Sequence, residues 1–246
     1  MRARLAGARL LGATLLLLAS AVVAASADPV VDGFETGTLG PLWTPRAEPG
    51  RATVQRDIVR SGAFALRMEV GEGDIAGVGG DGEATERTEI QLAREHWAQF
   101  GETHDYRLSM YVPPDFPIAD VRLVTSQWKQ TCTDCSKSRS PIVAQRYRGG
   151  QLRITIETPQ GRQTIYGHGE PIQGRWLDLR YRIRFHLSDG IVTAWLNGVQ
   201  LVDYRGPLGF PDDPPDVYFR LGLYRNRMAQ PMIIYFDDFR MERLAQ

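Results

Sequence analysis

Apolar and polar positions alternate with a period of two over 63–70, 87–92, 106–112, 122–129, 151–157, 179–186, 191–196, 217–224 and 232–241. Successive side chains of a strand point to opposite faces, so each stretch predicts a half-buried β-strand. Turn-forming clusters separate them, at 71–82, Pro113-Pro114, Gly149-Gly150, Ser188-Asp189-Gly190, Asn197-Gly198 and 211–215. Asn197-Gly198, between two apolar runs, predicts a type I′ hairpin. Only 94–100 carries a helical pattern, and it is short. No linker, internal repeat or low-complexity tract interrupts the series. The pattern predicts one all-β domain over 28–246, a two-sheet β-jelly-roll sandwich.

The first 27 residues stand outside this pattern. Arg2, Arg4 and Arg9 precede an apolar run over 10–24, and Ala25-Ser26-Ala27 supplies a small-x-small exit before Asp28. That is the layout of a cleavable signal peptide, so the expected location is secreted, extracellular or periplasmic, with no membrane attachment after cleavage. The whole chain of 246 residues balances 29 basic against 29 acidic side chains. Without the leader it loses three arginines and no acid, and becomes slightly acidic. A nucleic-acid partner would demand a basic excess, so none is expected. The two cysteines, Cys132 and Cys135, lack the second pair that zinc requires. In an exported protein they predict a local disulfide in a polar loop.

Strand parity then locates the chemistry. Arg87, Glu89 and Gln91 share one face of their strand; Thr125, Gln127 and Lys129 share another, opposite Val124 and Trp128. Tyr218, Arg220, Gly222 and Tyr224 face outward while Phe219, Leu221 and Leu223 face inward, and Thr164, Tyr166 and His168 repeat the arrangement. Polar outer faces are ordinary in antiparallel sandwiches, and Arg180, Arg182 and Arg184, opposite Tyr181, Ile183 and Phe185, read as solvent-facing. Amide, phenol and guanidinium groups at the centres of the other strands are less usual. They would suit a long, anionic, hydroxyl-rich ligand in a concave groove.

Arg87-Thr88-Glu89-Ile90, Gln127-Trp128-Lys129 and the run Tyr218-Phe219-Arg220-Leu221-Gly222-Leu223-Tyr224-Arg225 resemble the three signature strands of jelly-roll polysaccharide lyases. Order and spacing are most similar to the heparin lyase I-like and glucuronan lyase group, with alginate lyases sharing the outline more distantly. Asp32-Gly33-Phe34-Glu35, Trp195-Leu196-Asn197-Gly198 and Tyr235-Phe236-Asp237-Asp238 resemble further landmarks of that family. The resemblance implies a concanavalin-like sandwich whose groove binds an acidic polysaccharide such as glucuronan and cleaves it by β-elimination.

By that resemblance, Arg87 and Gln127 hold the uronate carboxylate and Tyr224 protonates the leaving oxygen. Arg220, with Glu89, Tyr166 and Arg225, is expected at the substrate. Many relatives carry His two residues after the motif Gln, whereas this chain carries Lys129. The general base is therefore open between Tyr224, His168 and Lys129. The remaining histidines, His96, His104 and His186, are expected on surfaces or loops. Glu35 and Asp237 resemble positions that hold structural calcium; no organic cofactor is expected, and the protein is expected to be a monomer. A glycoside hydrolase needs two carboxylates across one bond, and Glu86 and Glu89 point to opposite sides. A non-catalytic carbohydrate-binding module is the other reading, and would not need the Gln and Tyr.

Overall fold

The computed structural model describes residues 28–75, 85–135, 139–167 and 169–245, so the expected leader over 1–27 and His168 lie outside the described residues. Its strands are β1 (Val30–Asp32), β2 (Trp43–Arg46), β3 (Ala52–Gln55), β4 (Ala65–Val70), β5 (Thr85–Leu92), β6 (Ala98–Gln99), β7 (Thr103–Val112) and β8 (Leu123–Gln130). There follow β9 (Val143–Arg148), β10 (Gln151–Thr158), β11 (Gly161–Gly167), β12 (Arg175–Arg184), β13 (Gly190–Leu196), β14 (Val199–Gly206), β15 (Asp216–Asn226) and β16 (Met232–Leu244). They form two eight-stranded antiparallel sheets. Sheet A runs β14-β13-β12-β7-β16-β4-β3, with β1 on β16; sheet B runs β11-β10-β9-β8-β15-β5-β2, with β6 on β15. This is the all-β sandwich that the alternation predicts.

The core lies between the sheets. Trp128 and Phe219 from sheet B meet Tyr106 and Tyr181 from sheet A at ring separations of 4.8–5.5 Å. Tyr181, Ile183 and Phe185 are buried as their parity requires. On the opposite face of β12, Arg180 and Arg182 close over the buried carboxylate of Asp105. Asn197 and Gly198 take positive φ angles of 49° and 80° between β13 and β14, as a type I′ hairpin needs.

Three local expectations are corrected. The segment 94–100 is not a helix: a single 3-10 turn, Arg94–His96, leads into β6, which pairs with Val217. The run is too short to repay helix nucleation, and the Trp97 indole instead donates to the Leu92 carbonyl. His104 is not on a surface or loop; it sits buried on β7, bonded through Nε2 to Glu102 at 2.9 Å. Strict parity also fails at bulges. On β8 the register shifts between Val124 and Ser126, which turns the Thr125 hydroxyl to Gln145 in the core and brings Val124 to the face of Arg146 and Tyr224.

Candidate active site on the outer face of sheet B

β5, β15 and β8 are neighbours in sheet B, so the three motif strands present their outward side chains as one array. Gln91, Arg220 and Gln127 lie directly across from one another, as do Arg87, Tyr224 and Val124, while Lys129 faces Tyr218. These groups are not spread on an open surface. Arg87 is 8% exposed, Glu89 1%, Gln127 2% and Arg220 7%, which places them at the floor of a recess.

Glu89 organises that floor. Its Oε2 lies 2.8 Å from Arg87 Nε and 4.0 Å from Arg220, and its Oε1 accepts a hydrogen bond from Gln127 Nε2. Arg220 is fixed further by Nε donating to Gln91 Oε1 at 2.9 Å. An amide nitrogen has two hydrogens and a guanidinium five, so these bonds orient the donors without exhausting them. Glu89 itself is too deep to touch a ligand and acts through Arg87 and Gln127. Gly222 stands opposite Glu89 with φ 136°; a Cβ there would meet the Thr88 carbonyl oxygen at 2.2 Å. No residue but glycine lets β5 and β15 close up at this point.

Acid–base groups flank the floor. At one end the Tyr224 ring lies between the guanidinium groups of Arg87 (4.6 Å) and Arg122 (4.8 Å), contacts that fix its orientation. At the other end burial, followed by the charges of Arg220 and Arg87, pushes the Lys129 ammonium below the ordinary lysine pKa. Burial pushes the Tyr218 phenol up, with Arg220 opposing. The Cys132–Cys135 disulfide is formed and lies just beyond Lys129, where Thr133 bonds to Asp213 and the Asp212 carbonyl.

The structure thus brings together Arg87, Glu89, Gln127, Lys129, Arg220 and Tyr224. It does not bring in Arg225 or Tyr166. Arg225 is fully buried on the core side, bridged to Glu86 at 2.8 Å and donating to the Gln230 and Met228 carbonyls. A register shift between Ile154 and Thr155 places Tyr166 opposite core residue Ile154, packed against the hydrophobic interior. Arg46 is an addition: β2 lays it beside Glu89, and burial with the Arg220 and Arg87 charges lowers its pKa. Pro45 hides β2 from the alternation pattern, and proline is tolerated there because β2 is an edge strand.

Glu35 and Asp237 both address the turn before β4. Asp237 Oδ2 accepts from the Arg60 and Ser61 amides and Oδ1 from Asp238, while Glu35 accepts from Ala63 and Phe64. Both carboxylates thus accept backbone N–H donors and hold the turn.

The chain belongs to the polysaccharide lyase family, whose sequence profile matches residues 34–240, and it is a polysaccharide lyase. No curated protein sequence matches it significantly. Among solved structures it is similar to the alginate lyase AlgAT5 of polysaccharide lyase family 7, with TM-score 0.57 and 12% identity over 80% of this chain and 84% of that one. The family 7 alginate lyase A1-II′ in complex with a GGMG substrate gives TM-score 0.57 and 13% identity over 81% and 84%. Aly36B with an alginate trisaccharide gives 0.54 and 11% over 88% and 98%. At these identities the likeness establishes the fold.

Proposed function

We propose that the protein cleaves a uronate-containing polysaccharide by β-elimination in the recess of sheet B. The observation that carries this reading is the buried array itself, in which Arg87, Gln127 and Arg220 are held as a preorganised donor set between Tyr224 and Lys129. Donors aimed at the uronate carboxylate stabilise the negative charge that develops when the C5 proton leaves. A base takes that proton, the electron pair forms the C4–C5 double bond, the C4–O bond breaks, and a hydroxyl protonates the departing oxygen. Both groups must reach one sugar, so the pairings that fit are Tyr224 serving as base and acid, or Lys129 as the neutral amine with Tyr218 directly across from it. No metal or organic cofactor enters these steps. The names of the structural neighbours support alginate as a substrate, and the motif resemblance supports glucuronan. The leader over 1–27 supports export, and among the described residues no helix is long and apolar enough to cross a membrane.

The test is to incubate the purified protein with alginate, glucuronan and glycosaminoglycans and follow the ultraviolet absorbance of unsaturated products. Absorbance should rise with at least one polyuronate and vanish with its carboxyl-reduced form. Equal cleavage of the reduced polymer would overturn the carboxylate assignment.

A further inference from the structure

The row that starts at Arg87 does not stop at Tyr224. Arg87, Tyr224, Val124, Arg146 and Arg153 lie directly across from one another on five neighbouring strands. Strands are spaced ~4.8 Å apart, which puts the Arg146 backbone roughly 14 Å from that of Arg87. Beside Tyr224 the row opens into a cavity of about 240 Å³ lined by Arg122, Arg146, Arg153, Arg162, Thr155 and Thr164, among others.

Of the five arginines lining this cavity, Arg148 bridges Asp120 and Arg162 bridges Glu157, whereas Arg122, Arg146 and Arg153 hydrogen-bond neutral groups. Arg146 donates to the Thr155 hydroxyl at 2.9 Å, Arg122 to Asn226 at 2.9 Å and Arg153 to Gln151 at 3.4 Å, all neutral partners. Arg162 takes the nearby Glu157 carboxylate at 2.7 Å. Burial, then the neighbouring Arg162 and Arg122 charges, push Arg146 down to about 10. Arg146 is half-buried, and the Glu157 charge offsets only part of the repulsion from Arg162 and Arg122. A guanidinium so placed is costly to fold unless an anion from outside completes it.

We infer that Arg122, Arg146 and Arg153 form a second anion subsite, which takes the carboxylate of a further uronate residue on the same polymer as the one held at Arg87 and Gln127. The inference rests on the uronate reading above and extends it: the protein measures acidic groups at two separated positions. Polymers with a neutral sugar at the second position lose that contact.

The experiment compares Arg146→Gln and Arg153→Gln with wild type, in steady-state kinetics on alginate and glucuronan and in calorimetric binding of size-defined oligosaccharides of each. Arg184→Gln, on the outer face of sheet A, controls for net charge. KM and Kd should each rise on the order of tenfold, the scale of one lost charge-assisted hydrogen bond, with kcat little changed and a weaker salt dependence of binding. Arg146→Gln should melt at the same or a higher temperature, since it relieves repulsion; Arg153→Gln, on the neighbouring strand, serves even if Arg146→Gln folds poorly. Wild-type affinity in both variants, or equal weakening by Arg184→Gln, overturns the subsite. Oligosaccharides that bind wild type, bind Arg153→Gln more weakly and are never cleaved would sink the elimination reading and leave the subsite standing.

Discussion

Tyr224 differs from phenylalanine by one oxygen, and its two guanidinium contacts are with the ring. Tyr224→Phe should therefore keep fold and binding while kcat falls ~10²–10⁴-fold, the usual contribution of a general acid. Near-normal turnover in that variant would refute the acid role. Glu89→Gln leaves Arg87 and Arg220 buried without their anion, so a stability loss of about 3 kcal/mol in denaturant melts is expected, with a fall in kcat/KM. For Lys129, burial dominates the lowered pKa and the Arg220 charge adds to it. The active species is the neutral amine, so the rising limb of kcat/KM with pH should lie below the ordinary lysine value of 10.5, and Arg220→Gln should move it upward. A limb that stays put would return the base to Tyr224 or His168. At this scale the motif strands were legible, because Arg87, Gln127 and Tyr224 keep simple parity. The part played by Glu89 was not, since a carboxylate at a polar position looks the same whether it meets solvent or is sunk beneath two arginines.

Among elements, the strands with clean alternation were found within a few residues of their ends. Those that escaped are short, such as β1, β3 and β6, or carry proline, as β2 does. β9 escaped as well, because Val143-Ala144-Gln145-Arg146-Tyr147-Arg148 buries the polar Gln145 and so breaks the alternation. Bulges were the other blind spot. One extra residue at Thr125, and another beside Tyr166, reverses every facing beyond it, and a single sequence contains no mark of where the ladder slips. Gly222 offers a test of close strand approach. Gly222→Ala sets a methyl group into the β5 backbone and abandons a permitted φ, so it should cost well over ~1 kcal/mol and abolish activity by parting Glu89 from its partners. The disulfide makes the opposite prediction. It closes a loop much shorter than the 15 residues for which ~3 kcal/mol is expected, so reduction should barely move the melting temperature while altering proteolysis near Cys132.

For the molecule as a whole, pH stability should bear the mark of His104. Burial holds its pKa below the ordinary 6.5, with Glu102 partly opposing. Above 6.5 folded and unfolded forms are both neutral and the residue contributes nothing to the pH dependence. As pH falls through that value the unfolded chain binds the proton first, so stability declines until the folded-state pKa is passed. Chemical melts across this window should show that slope, and His104→Gln should flatten it. The two-sheet architecture was the most legible feature of all, because it rests on the period of the pattern and not on the exact register of any strand.

The scarcity of lysine has a practical consequence. Amine-directed reagents act on the uncharged nitrogen, and on most proteins they scatter over a lysine-rich surface. Here the chain offers 27 arginines but only Lys129, Lys137 and its own amino terminus, and Lys129 is held in the recess with a weakened hold on its proton. Acylation of Lys129 at neutral pH, read by peptide mass, should therefore report whether the recess is occupied, with a bound polyuronate slowing the labelling. The same economy warns against tethering this protein to amine-coupling beads, because one of its few points of attachment lies inside the groove.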